Sequence, residues 1–167
     1  KANVYHDEVA AVALLAYDVD QQQFGTIQYV LSELPSIASS DPARGAAGYA
    51  GTLHPYVAPA TTTYNGTNLV TYSYSEATIA GLSANVLAVG DIIGDSANGP
   101  ALLMFNPREF IYGEVTFKWY AQDTSVSPPA RGEDVTMTVH VKCRGGERVN
   151  RDHGETCDLC PLGTFNS

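Results

Sequence analysis

The clearest hydrophobic pattern in the chain is a period of two over Val115–Asp123. Phe117, Trp119 and Ala121 fall on one face, and Thr116, Lys118, Tyr120 and Gln122 on the other. Alternation of this kind predicts a strand with one buried face. After a Ser/Pro-rich turn it repeats: Val135, Met137, Val139 and Val141 oppose Thr136, Thr138, His140 and Lys142. These two runs anchor the reading of the rest.

Earlier in the chain the apolar run Val9–Tyr17 precedes Asp18-Val19-Asp20. Its alanines suit a helix, but its length and valines favour a buried strand ending in an acidic turn. Phe24–Leu31 alternates and reads as a strand, stopped at Leu34-Pro35 because proline cannot donate to a ladder. Residues 36–51 have no period and read as a loop. Gly51–Val57, Asn68–Tyr74, Ala84–Val89 and Leu102–Phe105 read as short strands, and Asp91–Pro100 as turn. Helix signals are weak, with one turn at most near Glu76–Leu82. Many short strands spaced by turn residues predict an all-β sandwich.

Composition narrows the function classes. The chain has 167 residues and a formal net charge of -9, with only 16% charged residues. Such acidity argues against a nucleic-acid partner, whose phosphates require a basic face. No apolar run approaches the roughly 18 residues of a membrane helix. The sequence starts at Lys1 without a signal peptide, which suggests a processed or excised piece. Asn65-Gly66-Thr67 is an N-glycosylation acceptor pattern, relevant to a secreted protein.

The order of Leu14–Asp20, Ile27–Tyr29, Leu34-Pro35, Gly51–Leu53, Phe105–Pro107, Gly113, Phe117–Asp123 and Val135–Val139 resembles the cadherin-like, immunoglobulin-fold tandem repeats of secreted and cell-surface proteins. The resemblance spans about residues 4–142. It implies an immunoglobulin-like sandwich over 1–142, with a β-rich insertion at about 58–100 where the family has a short hairpin. It also implies that the first strand is missing, which would leave an open edge for another chain. In such repeats, carboxylates at strand ends hold calcium between domains. Asp18, Asp20 and Asp123 are the candidates here, with Glu8 beside them; the alternative is that they only make turns.

The tail 143–167 differs in composition. Cys157-Asp158-Leu159-Cys160-Pro161-Leu162-Gly163-Thr164-Phe165 resembles the start of the small cysteine-rich repeats of ephrin-receptor-like and growth-factor-like modules. Such modules are held by disulfides. The preferred bridge under that resemblance is Cys143 with Cys157, leaving Cys160 for a partner outside this sequence. A zinc site of Cys143, His153, Cys157 and Cys160 is a competing arrangement.

No catalytic motif is present: there is no G-x-S-x-G, no H-E-x-x-H and no phosphate-cradling glycine loop. The four histidines are scattered, and Trp119 lies on the expected core face rather than on a sugar-binding surface. The expectation is a non-enzymatic extracellular structural protein, loosely similar to filament-forming extracellular glycoproteins. It would form homo-oligomers or filaments by strand or tail exchange, carry attached glycans and need no cofactor apart from the candidate calcium. The alternatives are a calcium-dependent adhesion or carbohydrate-binding module of a larger protein, and an accessory domain of a secreted enzyme.

Overall fold

The computed structural model describes residues 2–14, 27–39, 43–58, 61–64, 70–73, 81–82, 84–95, 101–150 and 156–161. The described chain is all-β and of the β-sandwich class. In order the strands are β1 (Ala2–Tyr5), β2 (Ala10–Leu14), β3 (Ile27–Ile37), β4 (Gly51–Pro55), β5 (Thr61–Tyr64), β6 (Val70–Ser73) and β7 (Ile92–Asp95). They continue with β8 (Ala101–Pro107), β9 (Gly113–Asp123), β10 (Ala130–Arg131), β11 (Val135–Lys142), β12 (Glu147–Asn150) and β13 (Thr156–Leu159).

One sheet has the order β1-β11-β9-β3-β7, with β10 also on β9; the second is β2-β8-β4. The anchor strands pair antiparallel, with Val135 opposite Trp119, Met137 opposite Phe117 and Val139 opposite Val115. This register is what one shared buried face requires, since a slip of one residue would turn every apolar side chain outward. Val115, Phe117, Trp119, Val139 and Val141 are accordingly buried. They pack with Tyr29 and Leu31 of β3, Val12 and Leu14 of β2, Leu53 of β4, and Leu103 and Phe105 of β8. The Trp119 and Tyr29 rings lie 5.5 Å apart at 46°. Trp119 is thus a core residue.

Three expectations about the larger sheet are corrected. Pro35 does not end β3. It sits where the ladder to β9 shifts register between Glu33 and Ser36, so its missing N–H leaves no gap in the pairing. Its carbonyl accepts from Gly48 N–H at 2.8 Å, tying β3 to the turn before β4. Residues 92–95 are not turn: Ile92 and Ile93, β-branched residues suited to a pleated surface, open β7 on the free side of β3. Third, the start of the chain does form a strand. Ala2–Tyr5 runs parallel to β11, with Ala2 opposite Val139 and Tyr5 opposite Lys142.

The region expected as an insertion holds β5, β6 and β7. β5 and β6 pair with each other as a two-stranded sheet. Ala84–Val89, expected as a short strand, joins no ladder; instead residues 84–91 run as a strap from one sheet to the other. Leu87 N–H donates to Leu53 O at 2.8 Å on the outer edge of β4. Gly90 N–H then donates to Leu31 O at 2.8 Å, and Leu31 N–H to Asp91 O at 3.0 Å. The strap also covers His54, which is buried to 1%. Thr52 Oγ1 donates to its Nε2 at 2.7 Å, and its Nδ1 donates to Asn85 O at 3.2 Å. Burial pushes its pKa down, against the carbonyls of Asn85 and Leu82, which pull it up.

Candidate functional site

The chemistry-bearing side chains converge at one end of the sandwich, where β1 and β11 finish side by side. The polypeptide turns at His6–Glu8 after β1, and the β12–β13 hairpin follows β11. The hairpin has Glu147 opposite Leu159 and Val149 opposite Cys157, with Gly146 at φ 92° in its lead-in turn. A positive φ of this kind suits glycine, which lacks a Cβ.

Four contacts fasten the hairpin to the sandwich. Cys143 and Cys157 are joined by a disulfide across 14 positions. Cys157 N–H donates to Phe110 O at 2.8 Å, and Ile111 bridges to Thr156. Arg144 Nε and Nη2 reach Asp7 at 2.6 Å and Glu8 at 2.8 Å. Burial raises the Asp7 pKa, but the hydrogen bond and charge of Arg144 outweigh it and hold the carboxyl below its ordinary value.

The fourth contact is His6, 4% exposed and sandwiched between hairpin and β8–β9 connection. Its Nδ1 accepts from Phe110 N–H at 3.3 Å, and its Nε2 lies 2.9 Å from Glu147 Oε2. A backbone N–H can only donate, so Nδ1 carries the lone pair and Nε2 the proton that Glu147 accepts. The Phe110 ring stacks on His6 at 5.5 Å, and Phe110 adopts φ 63°, the one non-glycine residue in the left-handed region among the described residues. Docking on both sides holds that unfavourable backbone in place.

His6, Glu147 and Cys157 bring one nitrogen, one oxygen and one sulfur within 4.8 Å of one another. The arrangement does not suit a metal. The Cys157 sulfur is spent in the disulfide and cannot act as a thiolate. A cation at His6 Nε2 would move the ring proton to Nδ1, against the Phe110 N–H. The same disulfide removes the zinc arrangement of Cys143, Cys157 and Cys160 with His153, a residue outside the described ones. Cys160 is a partly exposed free thiol whose N–H donates to Gly146 O at 2.9 Å.

Asp123 of the calcium set closes β9. Its Oδ1 accepts from Ser125 N–H and its Oδ2 from Ser125 Oγ, both at 2.8 Å, the pattern of an aspartate-nucleated turn. Asp18, Asp20 and Asn65 lie outside the described residues, and Glu8 is engaged by Arg144. Sequence reading missed the His6–Phe110–Glu147 contact entirely. The residues are more than a hundred positions apart in part, and no spacing rule connects them. No protein-family model, curated protein or solved structure matches this chain.

Proposed function

We propose that the chain is a non-enzymatic, extracellular structural module: an immunoglobulin-like sandwich of cadherin type that joins its neighbours end to end in a filament or matrix. The carrying observation is the parallel pairing of β1 with β11. A parallel pair sends the chain in at one end of the sandwich and out at the other, which is the layout that stringing modules head to tail requires. The strand orders β1-β11-β9-β3 and β2-β8-β4 support the immunoglobulin-like assignment. The Cys143–Cys157 bridge supports an oxidising, extracellular setting. A tail pinned at the exit end by the His6 and Arg144 contacts would hold the next element at a fixed angle, and contacts that repeat without closing give a fibre.

Electron microscopy of the purified protein over a concentration series tests this reading. Rods with a regular axial repeat are expected. Monodisperse globular particles at every concentration would overturn it.

A further inference from the structure

The geometry points to β2 as a lateral pairing strand, which joins antiparallel to β2 of a second copy of this chain. The setting rests on the assembly reading above, but the contact is a different one, on the side of the sandwich instead of its ends. Sheet edges expose a row of unpaired backbone groups, and proteins usually guard them with charge, proline, bulges, shortness or a covering segment. The other edges of the two sheets carry such guards. β4 ends in Pro55 and is covered by the strap at Leu87. β7 is four residues long, contains Gly94, ends in Asp95, and faces a register shift at Tyr29/Val30. β1 is four residues long.

β2 carries no charge, proline or bulge, and no described segment is hydrogen-bonded over its outer edge. Ala10-Ala11-Val12-Ala13-Leu14 pairs only with β8 among the described residues, in unbroken register from Ala10–Phe105 to Leu14–Ala101. No outward backbone hydrogen bond leaves it toward a described residue. It lies inside Val9–Tyr17, a stretch with no charged residue in a chain of net charge -9. Two such acidic molecules repel each other on average; β2 itself brings no like charge to the contact, and Asp7 and Glu8 just before it are paired with Arg144.

The strand is also complementary to itself. Antiparallel pairing centred on Val12 sets Val12 against Val12, Ala11 against Ala13 and Ala10 against Leu14. Val12 and Leu14 are buried and Ala13 is exposed. That register therefore keeps the buried faces of both copies on one side of a continuous sheet. The small outward alanines present no bulk to oppose the approach. The contact is isologous, so it closes as a two-fold pair and would join strings of modules side by side.

Sedimentation velocity over a concentration series, with amide hydrogen exchange of residues 10–14, tests the pairing. The wild-type chain should dimerise, with those amides slowing as dimer forms. Ala13→Lys should raise the dissociation constant at least tenfold with an unchanged unfolding midpoint, whereas Ala13→Thr should still pair. Amides of 10–14 that exchange equally fast in monomer and assembly, a chain that stays monomeric throughout, or an Ala13→Lys chain that folds and pairs like wild type would each overturn the inference. Rods with fast-exchanging β2 amides would leave the end-to-end reading standing alone. Dimers without rods would leave the lateral contact standing alone.

Discussion

Arg144 Nε lies 2.6 Å from the carboxylate of Asp7, a residue 137 positions earlier in the chain. The pair fastens the end of the domain to its beginning, yet both side chains are more than 40% exposed. Exposed pairs contribute little, so Arg144→Ala should lower stability by only about 0.2–1 kcal/mol. The loss should shrink further as salt is raised. Urea denaturation of both proteins at low and high ionic strength measures it; a loss well above that range would mean the guanidinium does more than pair.

The disulfide at the same end should matter more. Closing a loop of this length in the unfolded chain is worth about 3 kcal/mol in the chain-entropy model. A Cys143→Ser/Cys157→Ser chain should show a correspondingly lower denaturant midpoint. Exchange of the Cys157 amide, which is bonded to Phe110 O, should accelerate beyond that of the β9 amides. Uniform acceleration of both would mean the hairpin does not open separately.

Phe117 is fully buried between the sheets. Phe117→Ala removes a ring that the two sheets cannot close over, and the expected loss is about 3–5 kcal/mol. The single Trp119, at 2% exposure, supplies the signal. Its fluorescence should be blue-shifted in the folded protein and move red at a lower denaturant concentration in the variant. An unchanged midpoint would contradict the packing described.

Gly51 has φ 146°, and a Cβ there would collide with the Asn106 carbonyl oxygen and approach the Phe105 ring to 2.9 Å. Backbone cannot move aside cheaply, and the conformation itself disfavours any side chain. Gly51→Ala should cost on the order of 1–3 kcal/mol, with the extra exchange confined to the β4–β8 ladder. A thermal midpoint equal to wild type would refute this.

His54 gives the fold a pH dependence whose sign is fixed. Its folded-state pKa lies below the ordinary value of 6.5 because burial disfavours the charged ring. The unfolded state therefore takes up the proton first as pH falls. The contribution of His54 is fully present above 6.5 and is lost as pH falls from there toward the folded pKa. The expected observation is a decline in unfolding free energy from pH 7 to pH 5 that is weaker in His54→Asn. Parallel pH profiles for the two proteins would exclude the histidine as the source.

The strands that could be read in the sequence are those whose two faces meet different solvents. β9 and β11 alternate because one side meets the core and the other water, and their pairing follows from matching the apolar sides. Pro35 misled because proline's lack of an N–H matters only where a partner carbonyl waits, and the register shift at Glu33–Ser36 removes that partner. Residues 92–95 misled because the surrounding glycines and aspartates signal a turn, while the free side of β3 supplies the partner that makes them a strand. The cysteine pair was suggested by resemblance to other modules. The contact of His6 with Phe110 and Glu147 leaves no local trace, because it is set by where the ends of β1, β8 and β12 arrive together.

The parallel register of β1 on β11 also has a mechanical meaning. The segment entering β1 and the segment leaving β11 would pull in opposite directions along neighbouring strands. Tension would then load the pairs from Ala2–Val139 to Tyr5–Lys142 together, in shear, instead of peeling them apart one after another. Beyond Lys142 the Cys143–Cys157 link shortens the chain that force can draw out. A fibre built from such units would resist stretching first at this short ladder.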